Sequence, residues 1–539
     1  MEQLKHKVLY KKWRDDSHQI TEEVIVGRSD EDFCSDNEIQ TRSKRRPARE
    51  PATLYGASRL DDTFTIDDAL EAIGFGKFQW KICLFAGLSW IGDAMEMMLL
   101  SILGPHLHCE WGLSGLEVAL ITSVVFAGMG IGAPSWGHFS DRYGRRTGVI
   151  YCMVWILYYG LLSSFAPNYG WLIALRALVG VGIGGAPQAV TLNMEFLSMK
   201  ARGTSVMLIG VFWAIGAVCE VLLALFVMPT LGWRWLLGLS VFPMTIFVLF
   251  CHWLPESPRF DVMAGRYERA MKTLEQMAKD NKKSLPQGRL ISKGPQSNRG
   301  RVKELFSRQY IRTTLTVWFI WFAFAFTYYG IVLLTTEMFQ DGDACGTSQG
   351  VKTEWTCRLE CKYLTTEDYK DLLWTTLAEF PGILIVMLTI DRLGRKRSMA
   401  LSFFMFTLCI LPMYACIGRI SLTILIFVAR AAISGGYQVV FLYTPEVFPT
   451  EIRALAVGTS SGFAKLGALI TPFVAQVLLR SSVSLTLSVY CVCAVLAGVA
   501  ALLLPIESLG HTLQELETEP VSVIKRASAL SRCSPTHGP

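Results

Sequence analysis

Seven ionisable side chains interrupt stretches of this chain that are otherwise apolar. Asp93, Glu96, Arg176, Glu220, Glu379, Arg430 and Lys465 stand among runs of Leu, Val, Ile, Ala, Phe and Gly. A charge in hydrocarbon costs about 2.5–3.5 kcal/mol on insertion scales, so it persists where it pairs, carries a proton or meets a charged ligand. Asp93 and Glu96 are three residues apart and would share one helix face. Carboxylates placed this way can hold a proton or attract a cation, whereas Arg176 and Lys465 suit an anion. Glu379 and Arg176 also suit a structural ion pair; Asp93, Glu96 and Lys465 lie deeper and suit a polar cavity. One run is crowded with aromatics, Trp318, Trp321, Phe322, Phe324, Phe326, Tyr328 and Tyr329. Such a stripe ordinarily packs, yet the hydroxyls of Tyr328 and Tyr329, beside Gly330 where a helix can break, would serve as a cavity wall.

The elements that must position these groups follow from hydropathy. Over half of the 539 residues are hydrophobic and only 18% are charged, and the mean hydropathy is +0.36, outside the range of most soluble chains. Crossing a hydrocarbon layer takes about 20 apolar residues as a helix. Twelve stretches qualify: 82–104, 115–136, 147–166, 171–192, 206–228, 232–254, 311–334, 371–390, 398–418, 421–443, 454–478 and 482–504. Most Lys and Arg in the connecting loops fall on one side, at Asp141–Arg146, Lys200–Arg202, Arg259–Arg312 and Asp391–Arg397. Basic loops stay in the cytoplasm, so both termini and the central loop are expected there.

The chain repeats itself. Gly137-x3-Asp141-Arg142-x-Gly144-Arg145-Arg146 recurs in its core as Asp391-Arg392-Leu393-Gly394-Arg395-Lys396-Arg397, 250 positions on (391 − 141). Glu195 with Arg202 recurs as Glu446 with Arg453, Pro255-Glu256-Ser257 as Pro505-Ile506-Glu507-Ser508, and Arg176 as Arg430. Marks in one order at near-constant offset indicate duplicated halves, the arrangement of secondary transporters with a site between the repeats. Gly137 and Gly144 permit a tight turn and close helix approach, Asp141 can cap a neighbouring helix, and the arginines offer forked donors to carboxylates. Gly180-Val181-Gly182-Ile183-Gly184-Gly185 matches a dinucleotide fingerprint in letters only. It lies within a span, where Gly180 and Gly184, like Gly128 and Gly132, form a small-residue packing seam.

Outside the spans less is legible. The first 80 residues lack a short apolar core with a cleavage site, so no signal peptide is expected. Lys44-Arg45-Arg46-Pro47-Ala48-Arg49 suits a juxtamembrane anchor to acidic lipid, and the net charge of +6 comes largely from such loops. The central loop opens with an amphipathic pattern over Tyr267–Asp280. On the far side Cys109, Cys345, Cys357 and Cys361 share a compartment in which at least one disulfide is expected, with three pairings open; their spacings fit no common zinc site. None of the five asparagines begins an N-x-Ser/Thr.

The two Asp-Arg-x-Gly-Arg loops, Glu195-x6-Arg202-Gly203, Glu446-x2-Pro449-x3-Arg453 and Pro255-Glu256-Ser257 resemble the signature set of the major facilitator superfamily, in its sugar-porter and organic-ion branch. Ile66-Asp67-Asp68-Ala69, Ile73–Trp80, Asp93–Met98, Leu107–Trp111 and Tyr443–Glu446 are similar to the synaptic vesicle 2-related transporters, and the likeness covers roughly 60–515. Ser198 stands where the sugar-porter motif has Pro, and Met387 where the second loop would carry Gly, which implies looser helix packing there. The resemblance implies a cytoplasmic gating latch of Gly137, Asp141, Arg142, Gly144, Arg145, Glu195 and Arg202 in one half, and of Asp391, Arg395, Glu446 and Arg453 in the other. It also implies that an acid of the first span pairs with the arginine of the fourth, Asp93 with Arg176. Protonation would then release the arginine, with Glu96 as substrate contact or alternate proton site.

The expected fold is an all-α membrane protein of twelve transmembrane helices in two pseudo-symmetric six-helix halves. The halves are 81–255 and 311–505, joined by a cytoplasmic loop at 256–310 and flanked by tails at 1–80 and 506–539, with a long lumenal loop at 335–370. The expected function is secondary transport of a small organic solute or ion by alternating access, with uniport and proton symport or antiport all open. The competing reading is a vesicle scaffold or receptor on a transporter fold. No enzyme chemistry, cofactor, metal or nucleic acid is expected; the partners are the lipid bilayer and an unidentified small molecule, and the chain is expected to be a monomer. By resemblance it belongs in a secretory or synaptic vesicle membrane, with the plasma membrane as the alternative.

Overall fold

Helix ends and glycines divide this molecule, because its apolar runs satisfy their own backbones as helices. The computed structural model describes residues 63–291, 302–341, 363–415 and 417–508, with the strands Leu9–Lys12 and Glu22–Ile25, which pair antiparallel. Among the described residues twelve helices are long and apolar enough to cross a membrane. They are Lys77–Trp111, Gly115–Tyr143, Arg145–Ser164, Tyr169–Glu195, Met207–Val227 and Trp233–Trp253 in the first half. Ile311–Phe339, Thr366–Leu393, Arg395–Tyr414, Arg419–Val447, Ile452–Ser481 and Val483–Leu502 form the second. The twelve-helix, two-half fold expected from hydropathy and repetition is present.

A capping box opens the second span of each half. The Ser114 backbone N–H and hydroxyl donate to Glu117 Oε2 at 2.7 and 2.8 Å. Thr365 does the same to Asp368 Oδ2 at 2.8 and 2.7 Å. These boxes lie 251 positions apart (365 − 114) and are a further mark of the duplication. At the other end of each of these spans, Gly144 and Gly394 adopt φ of +113° and +83°. That region is open to glycine and lets the chain leave one helix and enter the next through a single residue.

Glycines also set helix contacts. Gly128 and Gly132 of the second span lie against the backbone of the fourth, and a Cβ on Gly184 would come 2.6 Å from the Met129 carbonyl oxygen. In the second half Gly435 meets Gly382, where a Cβ would lie 2.6 Å from the Gly382 oxygen. The fingerprint-like run Gly180–Gly185 is therefore a packing seam. Met387, by contrast, is 41% exposed, away from that seam. Gly330 does not break the seventh span, contrary to expectation: Ile311–Asp341 is one helix. Its missing Cβ makes room for the Tyr490 ring of the twelfth span, whose Cζ would lie 2.6 Å from it. The real interruptions lie elsewhere. The fourth span turns between Ile183 and Pro187, the eighth is jointed at Ala378, and the eleventh is π-helical over Phe473–Leu478 after Pro472.

The halves meet along spans two and eleven and along spans five and eight, which are counterparts under the repeat. On the basic face the connector forms helices Pro258–Met263 and Tyr267–Asn281. The second bears out the amphipathic pattern, burying Leu274 and Met277. Asn281 ties it to the first span, accepting from the Phe78 N–H at 3.0 Å and donating to Gln79 Oε1 at 2.7 Å.

Candidate functional site

Midway along the spans the structure pairs charges differently from the expectation. Arg176 Nη1 donates to Glu96 Oε2 at 2.6 Å, both side chains fully buried. Asp93 does not pair with Arg176. Each helical residue advances 1.5 Å, so Glu96 sits about 4.5 Å nearer the end where the fourth span begins, and its side chain is one methylene longer. That brings Glu96, not Asp93, to the level of Arg176. Asp93 is 4% exposed, and its Oδ1 has no hydrogen-bond partner. Glu220 of the fifth span accepts from the Ser240 hydroxyl at 2.9 Å.

The second half carries a larger cluster. Arg430 donates from Nε and Nη2 to Glu379 Oε1 at 3.1 and 2.8 Å, again with both side chains fully buried. The same oxygen accepts from the Tyr328 hydroxyl at 2.9 Å, which accepts from Trp213 Nε1 of the other half at 2.7 Å. Arg430 Nη2 also lies 3.3 Å from the Met98 sulfur of the first span. Arg176 and Arg430 occupy matching places, yet their carboxylates come from the first and the eighth spans, which are not counterparts. Tyr329 packs edge-on against Phe126 of the second span with ring centroids 4.8 Å apart. Lys465 is half-buried, its ammonium 4.0 Å from the Met129 sulfur. Removing one member of a buried, hydrogen-bonded ion pair typically costs about 3–5 kcal/mol, because it leaves the other charge desolvated and unpaired.

On the basic face each motif loop closes on its own half. Arg145 reaches Asp141 Oδ1 at 2.8 Å, Glu195 Oε1 at 3.1 Å and Gln188 Oε1 at 3.5 Å. Arg395 meets Asp391 at 3.2 Å and forks onto Glu446 at 3.2 and 3.3 Å. Glu446 also accepts from the Ser508 hydroxyl at 2.6 Å. Asp141 does not cap the neighbouring helix; its carboxylate is taken by Arg145, one turn on. The cap comes from Glu256, which accepts the Arg146 N–H at 3.0 Å, and from Glu507, which accepts those of Arg395 and Lys396 at 2.8 and 3.2 Å. Gly144 and Gly394 make room for these carboxylates: a Cβ at Gly394 would lie 2.9 Å from the Glu507 carboxyl carbon. Arg142 is exposed over the Tyr143 ring, and Gly137 stands near Gln188. Arg453 Nε donates to the Phe448 carbonyl at 3.3 Å, while the Arg202 side chain lies outside the described residues.

Sequence reasoning gave no site role to Glu256, Glu507 or Trp213, and no partner to Arg430. The first two and Arg430 were visible as repeat marks, and the signal was their recurrence in both halves. Trp213 carried none. On the opposite face Arg480 joins the halves, 3.3 Å from His108 Nε2 and 3.4 Å from Glu337 Oε2. Cys109 is disulfide-bonded, and Cys345, Cys357 and Cys361 lie outside the described residues. Among the described residues no three His, Cys, Asp or Glu gather as a metal site.

Comparison with known proteins agrees with this fold. Residues 76–349 match the family model described as Sugar (and other) transporter, and residues 373–532 match Major Facilitator Superfamily. The synaptic vesicle 2-related protein of Rattus norvegicus is 58% identical over 85% of this chain and 84% of its own. A putative transporter of Caenorhabditis elegans, svop-1, is 47% identical over 84% of this chain and 88% of its own. The inward-open xylose transporter XylE of E. coli superposes with a TM-score of 0.63 over 81% of this chain and 99% of its own. At 16% identity that likeness speaks to fold alone. Fold and relatives are those of transporters rather than enzymes.

Proposed function

The chain belongs to the major facilitator superfamily, in its synaptic vesicle 2-related branch, and we propose that it is a proton-coupled secondary transporter of a small organic ion, acting by alternating access as a monomer in a vesicle membrane. The observation that carries this reading is the Glu96–Arg176 pair, fully buried at 2.6 Å within the half that must rock against its partner. Of the two side chains, the carboxylate is the one that can take up a proton, since a guanidinium already carries its own. Taking up a proton on Glu96 removes the anion that holds Arg176 and frees the guanidinium for another partner, so protonation and helix rearrangement are linked. The Arg145 and Arg395 clusters act as the latch of the basic, cytoplasmic face, and each brace is broken when that face opens. Trp213–Tyr328 and Arg480–His108 bridge the halves in the interior and at the lumenal face. Buried charge of this kind serves a moving protein; a scaffold gains nothing from it.

The test uses proteoliposomes holding the full chain, incubated with a mixture of polar metabolites under an inward proton gradient and analysed by mass spectrometry. At least one compound should accumulate above its external level, and Glu96→Gln should abolish accumulation while leaving equilibration intact. Accumulation that survives in Glu96→Gln refutes the coupling role. Entry of no compound at all favours the scaffold reading.

A further inference from the structure

Most deep charges of the spans have a partner: Glu96 holds Arg176, Glu379 holds Arg430, and Glu220 accepts from Ser240. Asp93 and Lys465 are the exceptions. Asp93 is almost fully buried with Oδ1 unpartnered, and the Lys465 ammonium has only the Met129 sulfur for contact among the described residues. The two form no ion pair, although each lies within the other's electrostatic reach. They also come from opposite halves, so their mutual influence spans the two. Ser89, one turn from Asp93 on the same face, adds a buried hydroxyl with no partner. Tyr329 stands near Asp93 from the seventh span, its ring packed on Phe126.

We propose that Asp93 and Lys465 are the two ends of a substrate site for a zwitterion, its cationic group at Asp93 beside the Tyr329 and Phe126 rings and its anionic group at Lys465. This rests on the transport reading above and deepens it. A buried carboxylate and a half-buried ammonium held apart are each expensive to leave unanswered. A lone cation answers Asp93 and leaves Lys465; a lone anion does the reverse; a neutral sugar answers neither with charge. One molecule carrying both signs satisfies both groups at once, and the aromatic Tyr329 near the carboxylate favours an ammonium there. Because the two residues belong to different halves, such a ligand also draws the halves together.

The probes are the ω-amino acids from glycine to 6-aminohexanoate, with butylammonium and butanoate as single-charge controls, added to the full chain in lipid nanodiscs while thermal unfolding is followed. The midpoint should rise with the amino acids, peak at one chain length, and stay flat with both controls. Asp93→Asn and Lys465→Met should each weaken the best zwitterion by about 10- to 100-fold, the range expected for losing one charge-assisted contact. The proposal is overturned by a control that stabilises as well as the best zwitterion, by the lack of a length optimum, or by no rise with any amino acid. The wild-type length series decides even if a variant does not fold. None of these failures touches the transport reading, which stands or falls on metabolite uptake and on Glu96→Gln.

Discussion

Breaking the second latch should open the basic face further than breaking the first. Arg395 gives two N–H groups to Glu446, at 3.2 and 3.3 Å, with side chains 13% and 23% exposed. Arg145 gives one to Glu195 at 3.1 Å, with side chains 17% and 16% exposed. A charge-assisted hydrogen bond contributes about 1.5–3 kcal/mol when shielded and less under solvent screening. Taking about 1 kcal/mol per bond, Glu446→Gln should lose about 2 kcal/mol of closed-state preference and Glu195→Gln about 1. At 1.4 kcal/mol per factor of ten these become about 25-fold and about 5-fold more open protein. A reporter is available at Gly203, where a Cβ would lie 3.9 Å from Leu442 of the other half. In Gly203→Cys protein, alkylation by a bulky maleimide should accelerate toward those factors, because parting of the halves takes Leu442 away from a site that is only partly exposed when they are together. The double variant Arg395→Gln/Glu446→Gln should react no faster than Glu446→Gln alone, since the pair is one interaction. Equal effects from the two latches, or strictly additive effects within one pair, would refute the ion-pair account and leave ordinary positive-inside charge.

Three further outcomes are expected. Glu507→Ala should lower the unfolding midpoint by the equivalent of about 1–2 kcal/mol, the usual range for a lost helix cap, and an unchanged midpoint would remove its capping role. Gly132→Ala should disrupt folding or expression, because its Cβ would enter the Val181 backbone, whereas Gly130→Ala, with nothing within 4 Å, should be neutral; equal behaviour of the two would contradict the seam. Tags at the C-terminus and at Gly350 should be digested by protease from opposite sides of sealed vesicles, and accessibility from one side would overturn the proposed sidedness.

The sequence alone determined the twelve spans, the two halves and the paired motif loops. Hydropathy over about 20 residues and recurrence at a fixed offset are properties of one dimension, and the bilayer leaves few alternatives to a helix. It also marked Asp93, Glu96, Arg176, Glu379 and Lys465 as candidates for the site, since charge in an apolar run is conspicuous wherever it points. It did not determine who meets whom. Asp93 and Glu96 differ by about 4.5 Å in depth and by one methylene, and only the packed position of the fourth span selects Glu96 for Arg176. Arg430 repeats Arg176 in sequence but takes its carboxylate from the eighth span, because each half packs its own neighbours around the matching arginine. The roles of Gly330, which makes room for Tyr490, and of Glu256 and Glu507, which cap helices more than 100 residues away, depend likewise on contacts that the linear order of residues does not contain.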